Sequence, residues 1–72
     1  MDEFGKRLKL LRTSKKLKQT DIASFLQLTI RHYQDIEYGK VNIPALTLIK
    51  LADFFDVSTD YLLGRSDNPE RR

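Results

Sequence analysis

A chain of 72 residues is long enough for one domain and too short for two. The chain has no cysteine, which excludes a disulfide framework and a thiolate metal site, and its apolar runs are too short for a membrane-spanning helix. Residues 1–40 contain nine Lys and Arg against five Asp and Glu, whereas residues 41–72 contain four against five, so the basic first half is compatible with a polyanionic partner.

The first half of the chain has the apolar spacing of two helices. Residues 2 to about 16 place Phe4, Leu8 and Leu11 at positions i, i+4 and i+7, on one side of a helix. A second helix is predicted over residues 19–26, QTDIASFL. The start of the chain is acidic and lacks the apolar region of a signal peptide, so a cytoplasmic location is expected.

The third predicted helix, over residues 30–37, has a face that folding alone does not explain. Thr29 is its expected N-cap, because a hydroxyl can accept from a free N–H of the first turn, and Gly39 is expected to end it with a positive φ. At about 100° per residue, Tyr33 and Ile36 point inward. The opposite side carries four groups that form directed hydrogen bonds: Arg31, Gln34, Asp35 and Tyr38.

Two further helices are predicted in the second half. Pro44 lies in the first turn of the fourth helix, where its missing N–H costs nothing. Ser58 is the expected cap of a short fifth helix, in which Val57 and Leu62 are placed as a hydrophobic staple and Gly64 follows the end.

The predicted fold class is all-α, a compact bundle of five short helices. Residues 1–64 form the domain, and residues 65–72, which are polar and contain a proline, are predicted to be a frayed C-terminal tail. Only about three residues, 27–29, link the second and third helices. So short a link forces a steep crossing angle, which is helix-turn-helix geometry, and lets the third helix enter a DNA major groove about 12 Å wide.

These segments resemble the phage-repressor type of helix-turn-helix transcriptional regulator, the XRE or Cro-like group. The resemblance covers roughly residues 4–64, and the segments that carry it are QTDIA at 19–23, IEYGK at 36–40, LIKLADFF at 48–55 and VSTDYLLG at 57–64. It implies a DNA-binding domain whose partner is double-stranded DNA.

The chain departs from the family pattern at three positions. Gln27 stands where the turn usually carries glycine, so it is expected to fit the bend with a positive φ. Tyr33 replaces a branched aliphatic residue, and its hydroxyl needs a partner. Lys18 replaces a Ser or Thr cap before the second helix and places a cation where the family approaches phosphate.

By resemblance, one set of side chains faces the base edges: Thr29, Ile30, Arg31, Gln34 and Asp35. A second set approaches the phosphates: Lys18, Gln19, Lys40 and Asn42. Arginine can span guanine O6 and N7, glutamine can pair with adenine, and aspartate can accept from cytosine N4. The alternative is a solvated helix face on which Arg31 and Asp35 pair with each other at i, i+4.

Two further sets follow from the resemblance and are structural. Arg12 and Glu37 match the internal ion pair that fixes the first helix against the third. Val57, Tyr61 and Leu62, in and around the last helix, are candidates for a homodimer interface.

Enzymatic activity is not expected. His32 is the single histidine and the chain has no cysteine, so no zinc site or Cys-His pair can form. No glycine-rich phosphate loop is present, and no cofactor, small-molecule ligand or membrane partner is indicated.

The predicted function is a sequence-specific regulator, a repressor that binds a two-fold symmetric operator as a homodimer. Two readings stay open beside it: a protein-interaction module such as an antitoxin or adaptor, and the DNA-binding half of a longer protein.

Overall fold

The computed structural model describes residues 2–71, and that part of the chain folds into five helices without a strand. The helices are α1 Asp2–Ser14, α2 Gln19–Leu26, α3 Ile30–Glu37, α4 Ala45–Phe55 and α5 Thr59–Leu62. The predicted all-α fold class is confirmed. Within residues 2–71 no helix is both long enough and apolar enough to span a membrane.

The starts of α3 and α5 confirm the predicted caps. The Thr29 hydroxyl accepts from the His32 N–H at 3.1 Å, and the Ser58 hydroxyl accepts from the Tyr61 N–H at 3.0 Å. At α4 the prediction is one residue off, since Pro44 is the N-cap and the helix begins at Ala45. Proline has no side-chain acceptor, so the first-turn N–H groups of α4 lack a side-chain cap.

Each helix ends in the same backbone motif. A residue with a φ between 55° and 79° lies one or two positions after each helix, and the residue that follows it donates its N–H to the carbonyl five positions earlier. The five left-handed residues are Lys16, Gln27, Gly39, Asp56 and Gly64. The positive φ predicted for Gln27 is therefore confirmed. At three of the five helix ends the left-handed residue is not glycine, although glycine adopts this conformation with the least strain.

The core brings together side chains from all five helices. Its fully buried side chains are large and mostly aliphatic or aromatic: Phe4, Leu8, Ile22, Tyr33, Ile36, Leu51 and Leu62. Helix α1 crosses the end of α3 at Gly5, where an added Cβ would lie 2.2 Å from the Glu37 carbonyl oxygen. This close approach brings the α1 side chain Arg12 to the carboxylate of Glu37.

The predicted fraying of the tail is wrong for the part that the structure describes. The Ser58 N–H donates to the Pro69 carbonyl at 3.0 Å, and Arg7 donates to the Ser66 carbonyl at 2.9 Å. Near the end, Arg71 pairs with Asp53. These bonds hold residues 65–71 against α1, α4 and the start of α5.

The dimer-interface prediction is wrong for two of its three residues, because their side chains are buried. Leu62 has no exposed surface and Val57 is 6% exposed, because both pack into the core of their own chain as the hydrophobic staple requires. Neither side chain can face a partner chain. Tyr61 is half-buried, with the Arg7 guanidinium 4.4 Å from the centre of its ring, and its place at a dimer interface stays a prediction.

Candidate nucleic-acid interface

Helices α2 and α3 form the predicted helix-turn-helix. The turn between them contains the left-handed Gln27, the partly buried Leu28 and the cap Thr29. Leu28 also donates its N–H to the Ala23 carbonyl at 2.9 Å, which closes the end of α2. The turn thus holds one face of α3 against the core and leaves the other on the surface.

Behind α3 lies a buried ion pair between α1 and α3. Arg12 donates from Nε to Glu37 Oε2 at 2.9 Å and from Nη2 to Glu37 Oε1 at 3.0 Å, a bidentate arrangement. Its Nη1 donates to the Leu17 carbonyl at 2.8 Å. Burial alone would raise the pKa of Glu37, but hydrogen bonds from Arg12, Tyr33 and Gln19 outweigh it and lower that pKa below its ordinary value.

The same carboxylate binds two groups that lead toward the surface. The Tyr33 hydroxyl donates to Glu37 Oε2 at 2.6 Å, which supplies the partner that this buried phenol needs. Burial and this bond to an anion raise the pKa of Tyr33. Gln19, the first residue of α2, donates from Nε2 to Glu37 Oε1 at 3.2 Å. Gln34 in turn donates to Gln19 Oε1 at 3.0 Å.

The outward face of α3 carries most of the predicted base-reading set. Thr29 and Ile30 are exposed, and the Arg31 side chain is 82% exposed. Arg31 Nε lies 3.7 Å from Asp35 Oδ1, which is an ion pair but too long for a hydrogen bond, so the guanidinium donors remain available. Gln34 differs from these residues, since it is half-buried and turned toward α2. Base contact by this set stays a prediction.

The predicted phosphate-contacting residues lie around the ends of α2 and α3. Lys18, Lys40 and Asn42 are exposed, whereas Gln19 is half-buried in the network described above. The Lys18 backbone N–H donates to the Asp21 carboxylate at 2.8 Å. The Lys18 side chain makes no cap hydrogen bond to α2, because an ammonium group has no acceptor. Contacts of these residues with phosphate also stay predictions.

One feature of this region was not predicted from the sequence, the hydrogen bond between Gln19 and Gln34, which lie 15 positions apart on different helices. Tyr38, which the wheel projection places on the outward side, is 55% exposed. It was not included in either predicted set of DNA-contacting residues.

Comparison with known proteins agrees with this geometry. A family model described as a helix-turn-helix domain matches residues 5–67. The SPbeta prophage-derived uncharacterized HTH-type transcriptional regulator YonR of Bacillus subtilis (strain 168) is 47% identical over 60 residues, covering 83% of this chain and 56% of that protein. The uncharacterized HTH-type transcriptional regulator YqaE of the same organism is 38% identical over 65 residues, covering 90% of this chain and 56% of that protein. The chain thus spans a little over half the length of these curated relatives.

A solved structure shows the same fold. The restriction-modification controller protein C.AhdI from Aeromonas hydrophila is 33% identical, with a TM-score of 0.74 over 85% of this chain and 92% of that one. The fold and these comparisons define the class of protein, a helix-turn-helix domain of the HTH-type transcriptional regulators. This chain belongs to the helix-turn-helix family of transcriptional regulators, in its XRE or Cro-like group.

Proposed function

We propose that this regulator is a repressor that binds a two-fold symmetric operator as a homodimer, with one α3 helix in each of two successive major grooves. It acts by binding, without catalysis, in the cytoplasm. The observation that carries the proposal is the outward face of α3, where the Arg31 side chain is 82% exposed with no hydrogen bond to Asp35. A free guanidinium on a helix that stands at the surface can span O6 and N7 of a guanine.

The base-reading side chains in this proposal are those of α3 and its cap that reach the surface. Thr29 and Arg31 supply hydrogen-bonding groups, and Ile30, 42% exposed, supplies an apolar contact for a thymine methyl. Asp35 accepts from a cytosine amine once Arg31 turns to DNA. Gln34 is also proposed to contact a base. It has a second role, because its hydrogen bond to Gln19 connects the outward face of α3 to the start of α2.

Phosphate contacts come from both sides of that face. Lys18 and Gln19 lie at the start of α2, where the N-terminal N–H groups favour an anion. Lys40 and Asn42 lie between α3 and α4, next to the first turn of α4, whose N–H groups have no side-chain cap. Two basic flanks with a hydrogen-bonding face between them fit a duplex whose backbone runs past both ends of α3.

A homodimer is proposed because one α3 helix covers only a few base pairs, too few for selective binding in a genome. With Val57 and Leu62 in the core, the contact needs side chains of the same region that reach the surface. Tyr61 is kept, and we add Ile49, which is 47% exposed on α4 and lines a groove with Thr59 and Asp60 of α5.

The test is selection of bound duplexes from a random DNA pool. The expected product is an inverted repeat with half-sites about 34 Å apart, one helical turn. Affinity for that duplex should fall with salt, with a slope of log K against log salt steeper than about −4 for the dimer. Enrichment of a single half-site would contradict the dimer. Failure to enrich any sequence, with salt-independent affinity, would contradict the DNA-reading function of α3.

One observation favours a second function, that of a protein-interaction module. Phe25 of α2 and Phe54 of α4 are both partly exposed, and their ring centroids lie 4.7 Å apart, so they form an apolar surface pair. An adaptor or antitoxin could hold a partner protein there. Replacing Phe25 with Ser should leave operator affinity unchanged under the repressor proposal, and a stable protein complex lost in this variant would favour the adaptor.

A further inference from the structure

Every acceptor position on the Glu37 carboxylate is filled by a donor. Oε1 accepts from Arg12 Nη2 at 3.0 Å and from Gln19 Nε2 at 3.2 Å. Oε2 accepts from Arg12 Nε at 2.9 Å and from the Tyr33 hydroxyl at 2.6 Å. An ionised carboxylate offers about four lone-pair positions and no donor. Glu37 therefore dictates that each of its neighbours presents an N–H or O–H.

This requirement gives the hydrogen bonds a single direction from the interior to the surface. Gln19 has to turn Nε2 toward Glu37, so its Oε1 faces outward. Gln34 then has to present its own Nε2 to that oxygen, as it does at 3.0 Å. Reversing either amide would set oxygen against oxygen or N–H against N–H. Gln19 is left with one free N–H and one lone pair on Oε1, and Gln34 is left with its Oε1 and one free N–H.

The free atoms match the two kinds of DNA group expected at this surface. The remaining N–H of Gln19 lies at the start of α2, where a phosphate oxygen is the natural acceptor. An amide that offers one oxygen and one N–H side by side matches N6 and N7 of adenine. The direction of these hydrogen bonds thus determines which atoms of Gln19 and Gln34 face a duplex.

We propose that Tyr33 is a positioning residue for DNA recognition, which holds Gln19 and Gln34 in this one orientation through Glu37. The inference rests on the proposed function of the α2–α3 surface. Tyr33 is fully buried, so it acts without touching DNA. Without its hydroxyl, one lone pair of Oε2 is left open inside the core, and only the bidentate pair with Arg12 and the bond from Gln19 still orient the carboxylate. The position of Oε1, the acceptor for Gln19, is then less tightly fixed.

The test is a double-mutant cycle on affinity for the duplex selected from the random pool. The variants are Tyr33→Phe, Gln19→Ala and the two combined, measured by fluorescence anisotropy at a temperature where all are folded. Gln19→Ala should weaken binding about tenfold, and Tyr33→Phe alone should weaken it about three- to tenfold. The double variant should bind no more weakly than Gln19→Ala, because Tyr33 acts through Gln19.

The matched control is Ile36→Val, which removes one methyl group from the same buried face of α3 and no hydrogen-bonding group of the network. It should lower thermal stability and leave DNA affinity unchanged. If Tyr33→Phe is too unstable, Tyr33→Ile removes the same hydroxyl and installs the type of residue usual at this position in the family.

The outcomes separate this inference from the proposed function. Losses that add in the double variant would overturn the positioning role of Tyr33 and leave the role of Gln19 intact. The same conclusion follows if Tyr33→Phe binds as tightly as the parent. If Gln19→Ala binds as tightly as the parent, the proposed phosphate contact of Gln19 fails, and the positioning role fails with it.

Discussion

Replacing Glu37 with Gln should remove a large part of the stability of this domain. Glu37 is 5% exposed and Arg12 is 9% exposed, and two bonds of 2.9 Å and 3.0 Å join them. The substitution leaves the buried guanidinium without a counter-charge, which costs about 3–5 kcal/mol. A domain of this length has a free energy of unfolding of about 4–11 kcal/mol. The melting temperature should therefore fall by at least about 12 °C.

The assay is urea unfolding followed by far-ultraviolet circular dichroism, with Asp35→Asn as the control. That control makes the same chemical change on the same helix, but Asp35 is partly exposed and lies 3.7 Å from Arg31. A surface pair of this kind is worth less than about 1 kcal/mol. If Glu37→Gln loses no more stability than Asp35→Asn, the Arg12–Glu37 pair does not hold α1 against α3, and the reasoning is refuted.

Three further predictions concern acid stability, the turn and the dimer. Folding lowers the pKa of Glu37. The contribution of this carboxylate to the free energy of unfolding is therefore fully present above its unfolded pKa of about 4.3, and it is lost as the pH falls through the lower pKa of the folded state. The difference in unfolding free energy between the parent and Glu37→Gln should therefore shrink between about pH 6 and about pH 3, and a constant difference in urea titrations would contradict it. Gln27→Gly should raise the free energy of unfolding by about 0.5–1 kcal/mol, because glycine adopts a φ of 58° without strain, and an unchanged melting temperature would refute this. Ile49→Lys should shift sedimentation toward the monomer, whereas Leu46→Lys, the same change at another exposed position of α4, should not; equal behaviour of the two would remove Ile49 from the interface.

Local chemistry made the helix boundaries predictable. The bounds of α2 and α3 follow from apolar spacing, from the cap at Thr29 and from glycine at position 39, all of which act within a few residues. The positive φ of Gln27 followed from the resemblance, because the turn of the family usually carries glycine at this position. These features depend on neighbours in sequence, so a pattern can reveal them.

The predictions that were wrong, on the tail and on Leu62, failed because these features depend on contacts between distant segments. The tail residues 65–71 are polar and give no local sign of order, but Arg7, nearly sixty positions earlier, binds the Ser66 carbonyl and the Asp67 carboxylate. Leu62 was assigned to two surfaces at once, a staple and a dimer interface, and burial in its own core excludes the second.

The Gln19–Gln34 bond lay beyond sequence reasoning for a similar reason. Each glutamine is polar and lies at a position that reaches the surface, so each was assigned separately to DNA. Their connection depends on Glu37, whose saturated carboxylate determines the orientation of both amides. Only the three-dimensional arrangement of α1, α2 and α3 shows it.

The most direct test of the central claim compares Arg31→Ala with Lys40→Ala on the selected duplex and on a scrambled duplex, at two salt concentrations. Arg31 lies on the outward face of α3, whereas Lys40 lies beyond the end of that helix, after Gly39. Arg31→Ala should lose about 1–3 kcal/mol on the selected duplex and much less on the scrambled one, with relaxed preference at one base pair per half-site. Lys40→Ala should weaken both complexes by a similar factor and reduce the salt slope by about one per subunit. Equal losses on both duplexes for Arg31→Ala would contradict base reading by α3 and make Arg31 a phosphate contact.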